Sequence, residues 1–105
     1  MELERILKSE YSEEFDRLRK NRMPTSYFKY GPIKTNYGES LVSALENLEI
    51  RLRKYKETGN KEFLVDIANF AMIEFLYPSL ENTYFDSESH GTGLKGTTVK
   101  DLENL

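Results

Sequence analysis

From Glu2 to Arg22 the apolar residues Leu3, Leu7, Tyr11, Phe15 and Leu18 recur at steps of four, four, four and three. That spacing lays them on one face of a helix spanning 2–22. Acids crowd the start of this segment and bases its end, the order a helix dipole favours, and Pro24 is expected to stop it. The stretch MPTSYFKYGPIKTNYGES holds two prolines and two Tyr-Gly pairs, which predicts an ordered loop. Its Tyr27, Phe28, Tyr30, Ile33 and Tyr37 are expected to pack on the helices. A second stripe, Leu41, Leu45, Leu48, Leu52 and Tyr55, predicts a helix over 39–58 that closes at Thr58-Gly59-Asn60. A third helix over 61–77 ends before Pro78, and so short a connection forces the last two helices into an antiparallel hairpin. The expected fold is therefore all-α: a small bundle around the 39–58 and 61–77 hairpin, with the N-terminal helix, the aromatic loop and a mostly irregular polar tail over 78–105.

The third helix, FLVDIANFAMIEFL, is apolar nearly all round, more than two other helices readily cover. This predicts a homodimer built on it, with Phe70, Ile73 and Phe75 as contacts. Glu62, Asp66 and Asn69 form a polar stripe along the same helix, and Asp66 is expected to lie deeper than Glu62. A buried carboxylate needs a partner. The preceding helix offers Glu46, Glu49 and Arg53 beside its leucines, and antiparallel register brings Arg53 towards Asp66 and Glu49 towards Asn69 or Phe70. Two readings follow. In one, Arg53 pairs with Asp66 and Glu49, and Asn69 completes a structural network. In the other, Glu46, Glu49, Asp66 and Asn69 hold a hard cation, because converging carboxylates repel one another without one.

The chain has 105 residues, which sets the expectation of a single helical domain over 1–105. Its 38% hydrophobic and 31% charged residues are those of a soluble globular protein. No run approaches the roughly 18 apolar residues of a membrane span. The opening MELERILKSE is too charged for a signal peptide, so the cytoplasm is the expected location and no membrane partner is expected. With no cysteine and one histidine, His90, thiolate and multi-histidine metal sites are excluded within one chain, leaving carboxylate-held Mg²⁺, Mn²⁺ or Ca²⁺, of which Mg²⁺ or Mn²⁺ is the expected cofactor. A net charge of −3 argues against sequence-specific DNA binding.

The pair Glu46-Asn47-Leu48-Glu49, then Asp66-Ile67-Ala68-Asn69 after 16 residues, resembles the Glu-x-x-Glu and Glu-x-x-Asp motifs of MazG-like all-α nucleoside triphosphate pyrophosphohydrolases, including small phage-encoded ones. LVDIANFAMIEF is similar to a helix of nucleotide-modification-associated phage domains, and the resemblance covers residues 30–78. It implies a phage or prophage protein that binds a nucleotide or nucleotide-derived small molecule through a divalent metal on Glu46, Glu49, Asp66 and Asn69, in the cytoplasm of a host cell. Arg53, Tyr30, Lys34 and Lys95 would then contact the nucleotide. Asp66 stands for a glutamate and Asn69 for an aspartate, so one ligand charge is missing and the resemblance implies binding with little hydrolysis.

In the tail, Gly91, Gly93 and Gly96 match a GxGxxG string, but no strand precedes them and no long helix follows. The backbone around Lys95 remains a candidate anion nest, and Asp86, Glu88 and His90 a candidate surface metal group beside the plainer reading of a solvated tail. The second class of function is a non-enzymatic interaction protein of phage type, docking on a host (defence) protein through its aromatics and tail and modulating it.

Overall fold

The computed structural model describes residues 1–87, and over them the chain is all-helical. Five helices follow in order: α1 Glu2–Glu10, α2 Glu13–Tyr30, α3 Ile33–Gly38, α4 Ala44–Thr58 and α5 Glu62–Leu76.

The α4 and α5 hairpin is the centre of the packing. Ser43 opens α4 by accepting the Glu46 amide at 3.1 Å. Gly59 closes it at φ 72, a left-handed conformation that costs a glycine little, with its amide on the Tyr55 carbonyl at 2.7 Å. The Asn60 side chain then takes the Glu62 amide at 3.0 Å, so three residues suffice to reverse the chain. Among the described residues Ala44, Val65 and Ile73 are the buried apolar ones, with Asn69 the buried polar one.

The N-terminal segment departs from the single helix expected over 2–22. Tyr11 is extended at φ −136, and the Ser12 hydroxyl accepts the Phe15 amide at 3.0 Å, starting a new helix. Ser12 followed by Glu13, Glu14 and Asp16 is a strong helix start written inside a continuing apolar stripe. Pro24 does not end this helix; it lies inside α2, which runs on to Tyr30 and closes at Gly31, φ 87. Proline removes one backbone donor there, and tertiary contacts to the preceding turn compensate: Asn69 donates to the Arg19 carbonyl at 2.9 Å, and Arg22 reaches Asp66 at 3.0 Å.

The expected aromatic loop is ordered but largely helical. Pro32 presets the entry to α3 at φ −63, and Gly38 at its end packs against the Tyr77 ring. Ser40 at φ 58 turns the chain, and the Leu41 and Val42 amides both donate to the Asn36 carbonyl, at 2.9 and 3.0 Å. Helix α4 therefore begins at Ala44 rather than at 39, and Leu41 falls outside it, 66% exposed. Ile33 and Tyr37 are half-buried as anticipated, whereas Tyr27, Phe28 and Tyr30 face solvent instead of packing inward. After α5, Glu74 holds the Ser79 amide at 2.6 Å, and the chain returns over the helix with Phe85 edge-on to Phe75 at 6.3 Å.

Candidate functional site

The polar stripe of α5 meets α2 and α4 in an ion-pair network. Arg22 donates to Asp66 Oδ1 from Nη2 at 3.0 Å and from Nε at 3.3 Å, and its Nη1 binds Glu62 at 2.6 Å. Arg51 Nε stands 3.7 Å from the other oxygen of Asp66, with its guanidinium 5.7 Å from the centre of the Phe70 ring. The Glu62 hydrogen bond and the charge of Asp66 together raise the Arg22 pKa above its ordinary value, against the opposing effect of burial. Asp66 is the deeper acid, its side chain 19% exposed against 55% for Glu62.

One turn further along α5, Asn69 is enclosed. Its amide nitrogen binds the Arg19 carbonyl, and its Oδ1 is buried without a protein donor. Arg19 in turn binds Asp16 through Nε at 3.0 Å and lays Nη1 3.5 Å from the Met72 sulfur. Burial alone would raise the Asp16 pKa; the Tyr11 hydroxyl, Lys20 and Arg19 outweigh it and hold the carboxyl below its usual range.

The sequence-predicted residues fall in three groups. Asp66 and Asn69 lie in the network. Glu46, Glu49, Arg53, Tyr30 and Lys34 are exposed outside it. Lys95, like Glu88, His90 and the Gly91–Gly96 string, lies outside the described residues, whereas Asp86 lies within them. Arg53 is not the partner of Asp66. The side of α4 turned to α5 keeps Leu48 and Tyr55 of the leucine stripe but carries Ala44 and Arg51 with them, and this small rotation brings in Arg51 and leaves Leu52 and Arg53 exposed. Arg22 is the partner that sequence reasoning missed. Its signal is present, because 22 is the next step of the stripe after Phe15 and Leu18, so a cation stands where the pattern calls for an inward residue.

Chemically, both oxygens of Asp66 face guanidinium groups, and a cation would have to displace them. Among the described residues no three His, Cys, Asp or Glu side chains come together in a group able to hold a metal ion. The dimer contacts expected on α5 are changed as well: Ile73 is buried within the chain and Phe70 is covered by Arg51, leaving Phe75 exposed. Among the described residues no helix is long and apolar enough to cross a membrane. Comparison with protein-family models, with curated proteins and with solved structures finds no match to this chain.

Proposed function

We propose that the chain is a non-enzymatic interaction protein that docks on another protein through exposed aromatic side chains. One observation carries this reading: Phe28, Tyr84 and Phe85 are 79–88% exposed and Tyr30 and Phe75 are both 69% exposed, while among the described residues the buried apolar set is Ala44, Val65 and Ile73. Large rings left in water are unfavourable for an isolated fold and are the side chains that dominate protein interfaces. Phe75, Leu80, Tyr84 and Phe85 also border an open groove of about 460 Å³ floored by Leu45 and Ala71, a shape that receives a protruding apolar side chain. The MazG-like reading has less support, since Arg22 and Arg51 already neutralise Asp66 and Glu46 and Glu49 stand apart from it in solvent.

The test is purification of the tagged chain from cells holding its natural partner, for wild type and for Phe28→Ala, Phe75→Ala and Phe85→Ala, with Lys56→Ala as an exposed polar control. A stoichiometric protein partner is expected with wild type and the control. At least one aromatic variant should lose it, since truncating an interface anchor costs about 2 kcal/mol or more. Unchanged recovery in all three aromatic variants would overturn the reading.

A further inference from the structure

The outward side of α2 carries positive charge that the chain leaves unbalanced. At about 100° per residue, Arg17, Asn21, Pro24 and Phe28 fall on one side of the helix with Lys20 and Tyr27 at its edge, opposite the half-buried Arg19, Arg22 and Ser26. Residues 17–38 hold six bases and no acid. Arg19 is paired with Asp16, and Arg22 with Glu62 and Asp66. Of the four bases that remain, Lys20 has one long ion pair, 3.6 Å, to Asp16, and among the described residues Arg17, Lys29 and Lys34 have none. Lys29 Nζ lies 5.8 Å from the centre of the Tyr30 ring, a contact that supplies no counter-charge. Asn36 donates to the Tyr30 carbonyl at 2.8 Å and holds α3, with the exposed Lys34, at the carboxyl end of α2. Phe28 projects from the same side as Arg17, and its ring meets Tyr27 edge-on at 5.7 Å.

We propose that this face receives an acidic segment of the partner protein, which seats an apolar side chain on Phe28 and sets carboxylates on Arg17 and Lys20. The inference rests on the proposed docking function and adds the chemistry of the partner. Arg17 and Phe28 stand about 17 Å apart along the helix, so a helical segment of about three turns spans them. Charge selects its sign, because a basic segment would meet like charge and a neutral one would cover these cations without a counter-charge. Single-stranded nucleic acid, the other acidic polymer, fits this face less well. It stacks successive bases on open ring faces, whereas Tyr27 and Phe28 stand at 88° to each other and form one apolar knob. Glu13 and Glu14 close the amino-terminal end of the same side, where they repel a polyanion that continues past Arg17 but not a segment that stops there.

The experiment pans a displayed library of short random helical peptides on the full chain and measures the affinity of those enriched. Wild type is compared with Phe28→Ala, with the double variant Arg17→Glu/Lys20→Glu and with Lys56→Glu as an exposed control, each checked for unchanged helical signal and melting temperature. Enriched peptides are expected to combine Asp and Glu with at least one large apolar residue. The double variant should weaken them about tenfold or more and Lys56→Glu should not, while a peptide whose acids are changed to lysine should prefer the double variant to wild type. Arg17→Gln/Lys20→Gln, which adds no charge beside Asp16, should give a smaller loss of the same sign. Peptides lost with Phe28→Ala but indifferent to the double variant would overturn the acidic partner and leave the docking function standing; peptides indifferent to both would count against the two together. No enrichment, enrichment of neutral or basic peptides, or a poly-dT oligonucleotide held through Arg17 and Lys20 more tightly than the acidic peptides would also overturn the proposal.

Discussion

Asp66 receives Arg22 on one oxygen and Arg51 near the other, and most of its surface is withdrawn from water. Removing such a carboxylate leaves two cations short of their counter-charge, one of them half-buried, which costs about 2 kcal/mol or more. Glu62 binds the same Arg22 from a side chain more than half exposed, where water replaces it at a cost of about 1 kcal/mol or less. Chemical denaturation should therefore place Asp66→Ala well below Glu62→Ala in midpoint; equal midpoints would mean that the network contributes little. Asn69 gives a second prediction. Its amide nitrogen is the donor to the Arg19 carbonyl, so Asn69→Asp would set a carboxylate against a carbonyl in a buried site. The variant should lose about 2 kcal/mol or more of stability without gaining affinity for Mg²⁺, read by denaturation and calorimetry. A stable variant that binds Mg²⁺ more tightly would restore the cation reading.

At the scale of elements, Pro24 separates two accounts of α2. Inside a helix it forfeits the bond to the Lys20 carbonyl, so Pro24→Ala should raise stability, by up to about 3 kcal/mol, measured as a higher denaturation midpoint. A lower midpoint would mean that the helix ends where a proline ordinarily ends one. The α4 and α5 hairpin was legible because its determinants are local, a left-handed glycine and two long periodic stripes, whereas the Ser43 cap that moves the start of α4 from 39 to 44 was missed by sequence reasoning. The break at Tyr11 was legible in principle from Ser12 and its acids, but the uninterrupted apolar spacing masks it. Passage of α2 through Pro24 was not legible, since it depends on Asn69, Asp66 and Glu62 holding α2 from 40 or more residues away. The candidate site shows the same limit. The depth of Asp66 follows from periodicity, whereas Arg51 in place of Arg53 depends on how α4 is rotated about its axis, and a stripe two residues wide does not fix that rotation.

Across the whole molecule, a thin apolar core stands beside a large apolar surface. Leu3 and Leu7 of α1 and the rings of 27–30 and 84–85 remain in solvent, and Phe15 and Leu18 of α2 are partly exposed. Helix α1 buries no residue at all, so its amphipathic face contributes little to the stability of the chain alone. Part of the expected core became surface here for a physical reason: α5 is covered by α2, α4 and the α3 part of the loop, Tyr37 included, which leaves Tyr27, Phe28 and Tyr30 nothing to cover. Exposed apolar surface of this kind is characteristic of protein interfaces, which is the ground of the proposed docking function. Site-specific photocrosslinking from position 28, with position 56 as the polar control, tests this most directly in cells that hold the natural partner. The account predicts one discrete protein adduct from position 28 and none from position 56; no adduct from 28, or the same adducts from both, would contradict it.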